Sequence, residues 1–330
     1  MLGWLVTLAV SPQISAQSYE SSLLDTLCLT GEVGWARLST GPTQVVGATP
    51  IALFLRVHAN QWYALRGPDA VERRPSQTEM SEVANRLLDH LTTRGASFAQ
   101  EMRAACNVSD ADCRAALGEL VAEGLIASDG FAGLRAISAS SSERRFNVDA
   151  AGRWSVLPLT ARLDPSREES IKALAWTLLS RYGVVFRRLL TREVTGVAWR
   201  ELVRVYRTLE ARGDIRGGRF VSGMSGEQYA LPDAVDRLRE LRRSGPDETL
   251  VAVSGADPLN LTGIVTLGDR IRAAASSRVV YRNGIPVMAM EGDMLRTLAD
   301  VDAPILADAA ALAAGRRVPV SNGYVGRIWP

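Results

Sequence analysis

The sequence predicts an α+β chain, and three observations carry that prediction: two apolar-periodic segments, a Gly-rich ribbon behind them, and four short strands around an Asn-Gly turn further on. The periodic segments are KALAWTLLSRYGVVFRRLLTRE from Lys172 and VAWRELVRVYRTLEARGDI after Thr195-Gly196, and the ribbon is RGGRFVSGMSGEQYALP. In the second segment Leu202, Val205, Tyr206 and Leu209 fall at i, i+3, i+4 and i+7, so a helix buries them together. Arg200, Arg204 and Arg207 fall at spacings of four and three on another face. Helix, helix, β-ribbon is the order of a winged helix, whose second helix enters a major groove while the wing rides on phosphates. The plainer reading of the same residues is a solvated helix face.

Charge is concentrated there. From Arg181 to Arg219 ten arginines stand against four acids, a local surplus of six in a chain whose net charge is +2. The rest of the chain is therefore slightly acidic. Composition, 47% apolar and 22% charged over 330 residues, suits two or three domains with real cores. MLGWLVTLAV at the start imitates a secretory apolar run, but the first basic residue is Arg37, so a signal peptide is not expected. No other apolar stretch reaches the length of a membrane span, and no membrane partner is expected. Cys28, Cys106 and Cys113 show no CxxC or Cys/His clustering, and His58 and His90 lie in other segments. That supply excludes a zinc site and a Ser-His-Asp or Cys-His catalyst; it predicts reduced, buried thiols in a cytoplasmic protein, with neither metal nor cofactor.

In chain order, SSLLDTLCL from Ser21 to Leu29 has helical spacing and ends at Thr30-Gly31, VGWARL from Val33 alternates as a strand, and PIALFLRV from Pro50 to Val57 has strand length. Trp62 and Tyr63 read as core. Ser76-Gln-Thr-Glu79 is a capping box opening a helix with a Val83, Leu87, Leu88, Leu91 stripe. A second helix covers Phe98 to Cys106, and a third starts at Ser109 with Leu117 and Leu120 inward. Leu125-Ile126 and Leu134 to Ile137 read as a hairpin across Ser128-Asp129-Gly130, which repeats the winged-helix order without the arginine row. The Ser-rich stretch from Ser138 to Ser142 is a linker by composition. Phe146 to Leu157 is extended, and Asp164-Pro165-Ser166 caps the helix that follows. Asp233 to Arg243 is a helix stopped by Ser244-Gly245-Pro246. Strands follow at Thr249 to Val253, Leu261 to Thr266, Arg278 to Tyr281 and Ile285 to Met290, with Asn283-Gly284 supplying a type I′ turn. Such strands form a small barrel or sheet. A last helix covers Ile305 to Ala314.

Several stretches resemble, in order, the C-terminal region of the large helicase-related (Lhr) family of bacterial superfamily 2 DNA helicases. They are LLDTLCLTGEVGWARL at 23–38, ELVAEGLIASDGFAGLRAI at 119–137, GRWSVL at 152–157, LLSRYGVVFRRLL at 178–190, GDIRGGRFVSGMSGEQYALP at 213–232, SGADPLNLTGIV at 254–265 and YRNGIPVMAMEGD at 281–293. The resemblance implies tandem winged-helix modules followed by a small β-barrel, an arrangement similar to AlkZ-type DNA glycosylases, and a tail associated with uracil excision. The implied division is an atypical segment at 1–22, a winged-helix module with a leading helix and strands at 23–138, and a linker with entry strand at 139–165. A DNA-facing winged-helix module at 166–247 and a β-barrel module with a C-terminal helix and tail at 248–330 complete it. Two departures stand out. No GxxxxGK[ST] loop or Walker B box occurs, so this chain has no ATPase motor. Residues 1–20 do not match the family's leading helix, which reads as a fragment, a separated C-terminal piece or a displaced start.

The expected function is DNA binding as the accessory region of a repair helicase, with the motor core supplied in cis or as a separate chain. Arg200, Arg204 and Arg207 would sit on the duplex, Arg216 and Arg219 would carry the wing, and Arg187 and Arg188 would add charge beside them. The alternative is a monofunctional DNA glycosylase acting on uracil or an alkylated base. It needs a carboxylate at a flipped base; Asp257, on a rigid Asp-Pro turn beside Asn260, is the first candidate and Glu291 and Asp293 are the next. Against this, Asp-Pro is a standard turn opener, Tyr281 reads as cross-strand packing, and the Gln-x-Asp or Gln-x-Gln pair of the alkylpurine enzymes is missing. An oligomerisation scaffold, with a homo-oligomer as its product, is the third reading.

Overall fold

The computed structural model describes residues 21–38, 51–65, 80–138, 152–157, 166–193, 196–257, 259–274 and 276–315. The capping box at Ser76, the Ser-rich linker, the Asp164-Pro165 cap, Thr195 and the C-terminal tail lie outside them. The chain divides into two compact units, residues 2–174 with 194–202, and residues 175–193 with 203–330.

In the first unit α1 (Ser21–Leu29) leads into the hairpin β1 (Val33–Ala36) and β2 (Ala52–Leu55), paired antiparallel, and α2 (Ala59–Ala64) follows with Trp62 and Tyr63 buried. Then come α3 (Glu82–Arg94), β3 (Ser97–Phe98), α4 (Ala99–Cys106), α5 (Asp110–Ala122) and β4 (Ile126–Ser128). The N-terminus of α3 is set by Ser81, whose hydroxyl accepts from the Ala84 N–H, and that of α5 by Ser109, which accepts from Asp112. The predicted strand at Leu134 to Ile137 is instead helix α6 (Ala132–Ser138). The strand that completes the sheet is β5 (Arg153–Val156), which pairs with both β3 and β4. Tertiary burial decides this: Trp154 of β5 is fully buried, with its ring edge-on to Trp35, and Trp35 donates its indole N–H to the Gly130 carbonyl at 3.3 Å.

The periodic segment that opens at Lys172 breaks where the sequence predicts a single helix. Helix α7 (Arg167–Tyr182) stops at Gly183, whose φ of +70° only glycine adopts without strain, and the β-branched Val184-Val185 then runs as β6 (Val184–Phe186). A 3-10 turn (Arg187–Arg192), α8 (Trp199–Ala211), β7 (Arg216–Gly218) and β8 (Gln228–Ala230) follow, and the strands order as β6-β8-β7. The earlier sheet has the same order, β3-β5-β4, with the strand after the first helix pairing with the last. Helix-strand-helix-helix-strand-strand therefore recurs, the first time with α6 inserted between its last two strands and the second time with the 3-10 turn as its middle helix.

Beyond α9 (Pro232–Ser244) come β9 (Leu250–Ser254), β10 (Arg278–Arg282), β11 (Ile285–Glu291), β12 (Met294–Thr297) and α10 (Ala303–Ala313). Asn283 and Gly284 both have positive φ, as the type I′ turn requires. Leu261 to Thr266, predicted as a strand, forms turns, while β12 takes the fourth place in the sheet. The sheet order β12-β11-β10-β9 is open: among the described residues β9 and β12 are edges, and no barrel closes. One face packs on α10 through Val280, Val287, Met288, Ala309 and Leu312. No helix among the described residues is long and apolar enough to cross a membrane.

Candidate nucleic-acid interface

Helix α8 is amphipathic in the predicted sense. Leu202, Tyr206 and Leu209 are buried and Val205 is half-buried, while Arg200, Arg204 and Arg207 are exposed. The Tyr206 ring stacks on Tyr229 of β8 with centroids 5.0 Å apart, and its hydroxyl donates to the Ala175 carbonyl, which ties the helix to the strand that carries the wing. Burial drives the Tyr206 hydroxyl far above its ordinary pKa, so it remains a donor. The helix starts on Glu201, which accepts from the Ala198 N–H at 2.9 Å and from Arg167 at 3.0 Å. These bonds, the Arg167 contact foremost, hold the Glu201 carboxyl below the usual range.

The arginines differ in their freedom. Arg207 donates to Glu227 at 2.6 Å, which links α8 to the end of the wing. Glu210 accepts from the Gly217 N–H at 3.1 Å and fixes the wing's other strand. Among the described residues Arg200, Arg204, Arg216 and Arg219 form no ion pair, and all are exposed. Arg187 is exposed at the head of the 3-10 turn. Arg188, although predicted to face DNA, donates to the Gly263 carbonyl at 3.0 Å.

That contact belongs to a set the sequence did not signal. Arg192 donates to the carbonyls of Asp257, at 2.6 Å, and of Asn260, and Arg270 returns from the far side to the Thr191 carbonyl at 3.2 Å. Three guanidinium groups thus lace the 3-10 turn to the loop after β9. No periodicity marks such residues; their partners are main-chain carbonyls about 70 positions away. Gln228 was missed as well, since a glutamine in a strand carries no signal of what its amide will hold.

The three candidate carboxylates share one end of the four-stranded sheet. Ser254 pairs with Arg278 and Arg278 with Met290, so Glu291, the last residue of β11, sits at that end of the sheet and Asp257 and Asp293 lie in the turns just beyond it. Asp257 Oδ1 accepts from the Leu259 N–H at 2.8 Å, the turn-capping role its sequence suggested. Glu291 accepts from the Arg272 N–H at 2.9 Å and from Arg296 at 3.5 Å, and Asp293 is exposed in the turn between β11 and β12. Tyr281 is spent inside the fold, where its hydroxyl lies 2.6 Å from Thr262 Oγ1 and 3.0 Å from Asn260 Oδ1. Burial pushes its pKa up. Cys28 and Cys113 are buried and Cys106 half-buried; all three are free thiols, and burial pushes Cys28 up to about 11. Among the described residues no three His, Cys, Asp or Glu side chains gather as a metal site.

Comparison with known proteins falls on the same segments. The winged-helix domain model of large helicase-related proteins matches residues 164–250, from the approach to α7 to the first residue of β9. The Lhr helicase/uracil glycosylase of Escherichia coli is 29% identical over 283 residues, covering 75% of this chain and 18% of that protein. The Lhr helicase/probable uracil glycosylase of Mycolicibacterium smegmatis is 26% identical over 288 residues, covering 77% and 18%. The chain thus spans about a fifth of the length of the curated relatives it matches. Among solved structures, the Streptomyces sahachiroi DNA glycosylase AlkZ superposes with a TM-score of 0.44 at 10% identity, covering 88% of this chain and 81% of that one. Residues 164–250 thus match a winged-helix domain of large helicase-related proteins, and about three quarters of the chain is similar to part of two Lhr helicases.

Proposed function

We propose that this chain is a DNA-binding accessory region of an Lhr-type repair helicase, working in the cytoplasm with a motor core supplied in cis or by another chain. The observation that carries the reading is the exposed face of α8, where Arg200 and Arg204 stand opposite a fully packed face and Arg216 and Arg219 continue the charge onto the wing. In that reading α8 lies in the major groove, the wing meets the phosphates on one side, and Arg207 is aimed by Glu227. Arg187 adds charge at the margin, and Arg188 serves as an anchor to Gly263. The first repeat, residues 82–156, is read as a second winged helix used for packing, and the β9–β12 sheet as the core of a small barrel-like module.

The test is duplex binding across a salt series. Arg200→Ala with Arg204→Ala is expected to weaken binding to all sequences alike and to make the salt slope shallower by about two units. Unchanged affinity in that double variant, or affinity that does not fall with salt, would sink the reading.

A second reading, base excision, is supported by one observation, the placement of Asp257, Glu291 and Asp293 toward the same end of the sheet. A carboxylate there would stabilise an oxocarbenium-like sugar or activate water beside a flipped base. Alkali-labile cleavage of a uracil-containing oligonucleotide, lost in Asp257→Asn, would establish it. A stable homo-oligomer without DNA affinity would instead mark a scaffold.

A further inference from the structure

The wing loop between β7 and β8, residues 219–227, is tied at its end by the Arg207–Glu227 pair and held from beneath by Gln228. Gln228 is only 1% exposed, and its amide makes four hydrogen bonds to that loop. Its Oε1 accepts from the Phe220 and Val221 N–H groups at 2.8 Å each, and its Nε2 donates to the carbonyls of Val221 at 3.0 Å and Met224 at 3.3 Å. A glutamine amide offers two donors and an acceptor oxygen with two lone pairs, so its whole capacity is spent here. The Phe220 ring lies across Gly218, where an added Cβ would come within 2.9 Å of it. The loop contains Gly223 and Gly226, both at positive φ, and without the amide it would sample many shapes. Arg219 directly precedes the first pinned N–H.

Resting on the DNA-binding reading above, we infer that Gln228 is the positioning residue of the wing: it holds the loop in the shape that brings Arg219 to a phosphate, and touches no DNA itself. Affinity gained by preorganisation is lost when the loop must be ordered on binding. Gln228→Met keeps the volume and removes all four side-chain hydrogen bonds, so it separates wing order from core packing should Gln228→Ala fail to fold.

The experiment is a double-mutant cycle on the full chain with a short duplex, after wild-type binding and its salt dependence have been measured. Gln228→Met is expected to weaken binding about fivefold at 0.1 M salt and to lower the salt slope by about one, as Arg219→Ala does. Arg219→Ala added to Gln228→Met should cost less than about twofold more, while Arg204→Ala added to it should keep its full effect. Full additivity of Gln228→Met with Arg219→Ala, or an unchanged slope in Gln228→Met, overturns the inference and leaves the DNA-binding reading standing. A wild type that shows no salt-dependent duplex binding takes both down.

Discussion

Glu193 is reached from two sides, by Arg181 Nη1 at 2.6 Å and by the Tyr182 hydroxyl at 2.5 Å, with the charged side chains of the pair only 5% exposed. Burying two charges is offset by their attraction only while both are present. Glu193→Gln should therefore lower the unfolding free energy by about 3 kcal/mol, read from urea denaturation, whereas replacing both partners with apolar residues should recover most of it. Equal losses in the single and double variants would show that the pair matters through packing alone. Burial, reinforced by Glu193, pushes the Tyr182 hydroxyl far up, so it donates across the whole pH range in which the protein is folded. Glu201 behaves in the opposite sense. Its folded pKa lies below its unfolded one, so its contribution is fully present above the ordinary carboxylate range and is lost as pH falls through the depressed folded value. The stability gap between wild type and Glu201→Gln should be about 1 kcal/mol, flat at neutral pH, and should close on acidification. A gap that widens in acid would reverse the assignment.

At the scale of elements, what the sequence makes legible is what neighbours in the chain decide. The amphipathic faces of α3, α5 and α8, the Ser109 cap and the Asn283-Gly284 turn are local, and each lies where its pattern predicts, whereas α3 is capped by Ser81. The misreadings are those that distant partners decide. The segment around Leu134 becomes α6 because β5, arriving from residue 153, takes its place beside β4. Leu261 to Thr266 becomes a set of turns because the loop after β9 folds back on itself through glycines with no room for a side chain. Gly255 is the clearest of these: an added Cβ would lie 2.6 Å from the Ser277 Cβ and 2.7 Å from the Arg272 carbonyl. Gly255→Ala should thus destabilise the chain by about 2 kcal/mol in thermal unfolding, through overpacking at the foot of the loop. Since Arg192 holds the Asp257 and Asn260 carbonyls of that loop, the damage should spread to the 3-10 turn. Loss of amide-exchange protection there as well as in the loop would show it, and loss confined to the loop would count against the lacing.

For the whole molecule the decisive quantity is how unevenly charge is spread. A net charge of +2 conceals a surplus of six between Arg181 and Arg219, so the remainder carries a net negative charge. That polarity draws a polyanion toward this segment rather than to the rest of the chain. The sequence count gave the face, but only the structure sorts its members: Arg188 and Arg192 are tied to main-chain carbonyls and Arg207 to Glu227, while Arg200, Arg204, Arg216 and Arg219 stay exposed. With about four phosphate contacts the salt slope of duplex binding should be about −3.6, so affinity should fall about 150-fold between 50 and 200 mM salt. The two extremes are equally informative. A slope of about −2 would mean that α8 binds without its wing, and a slope of about −5.4 would bring in the exposed Arg242 and Arg243 at the end of α9 as a second line of phosphate contacts.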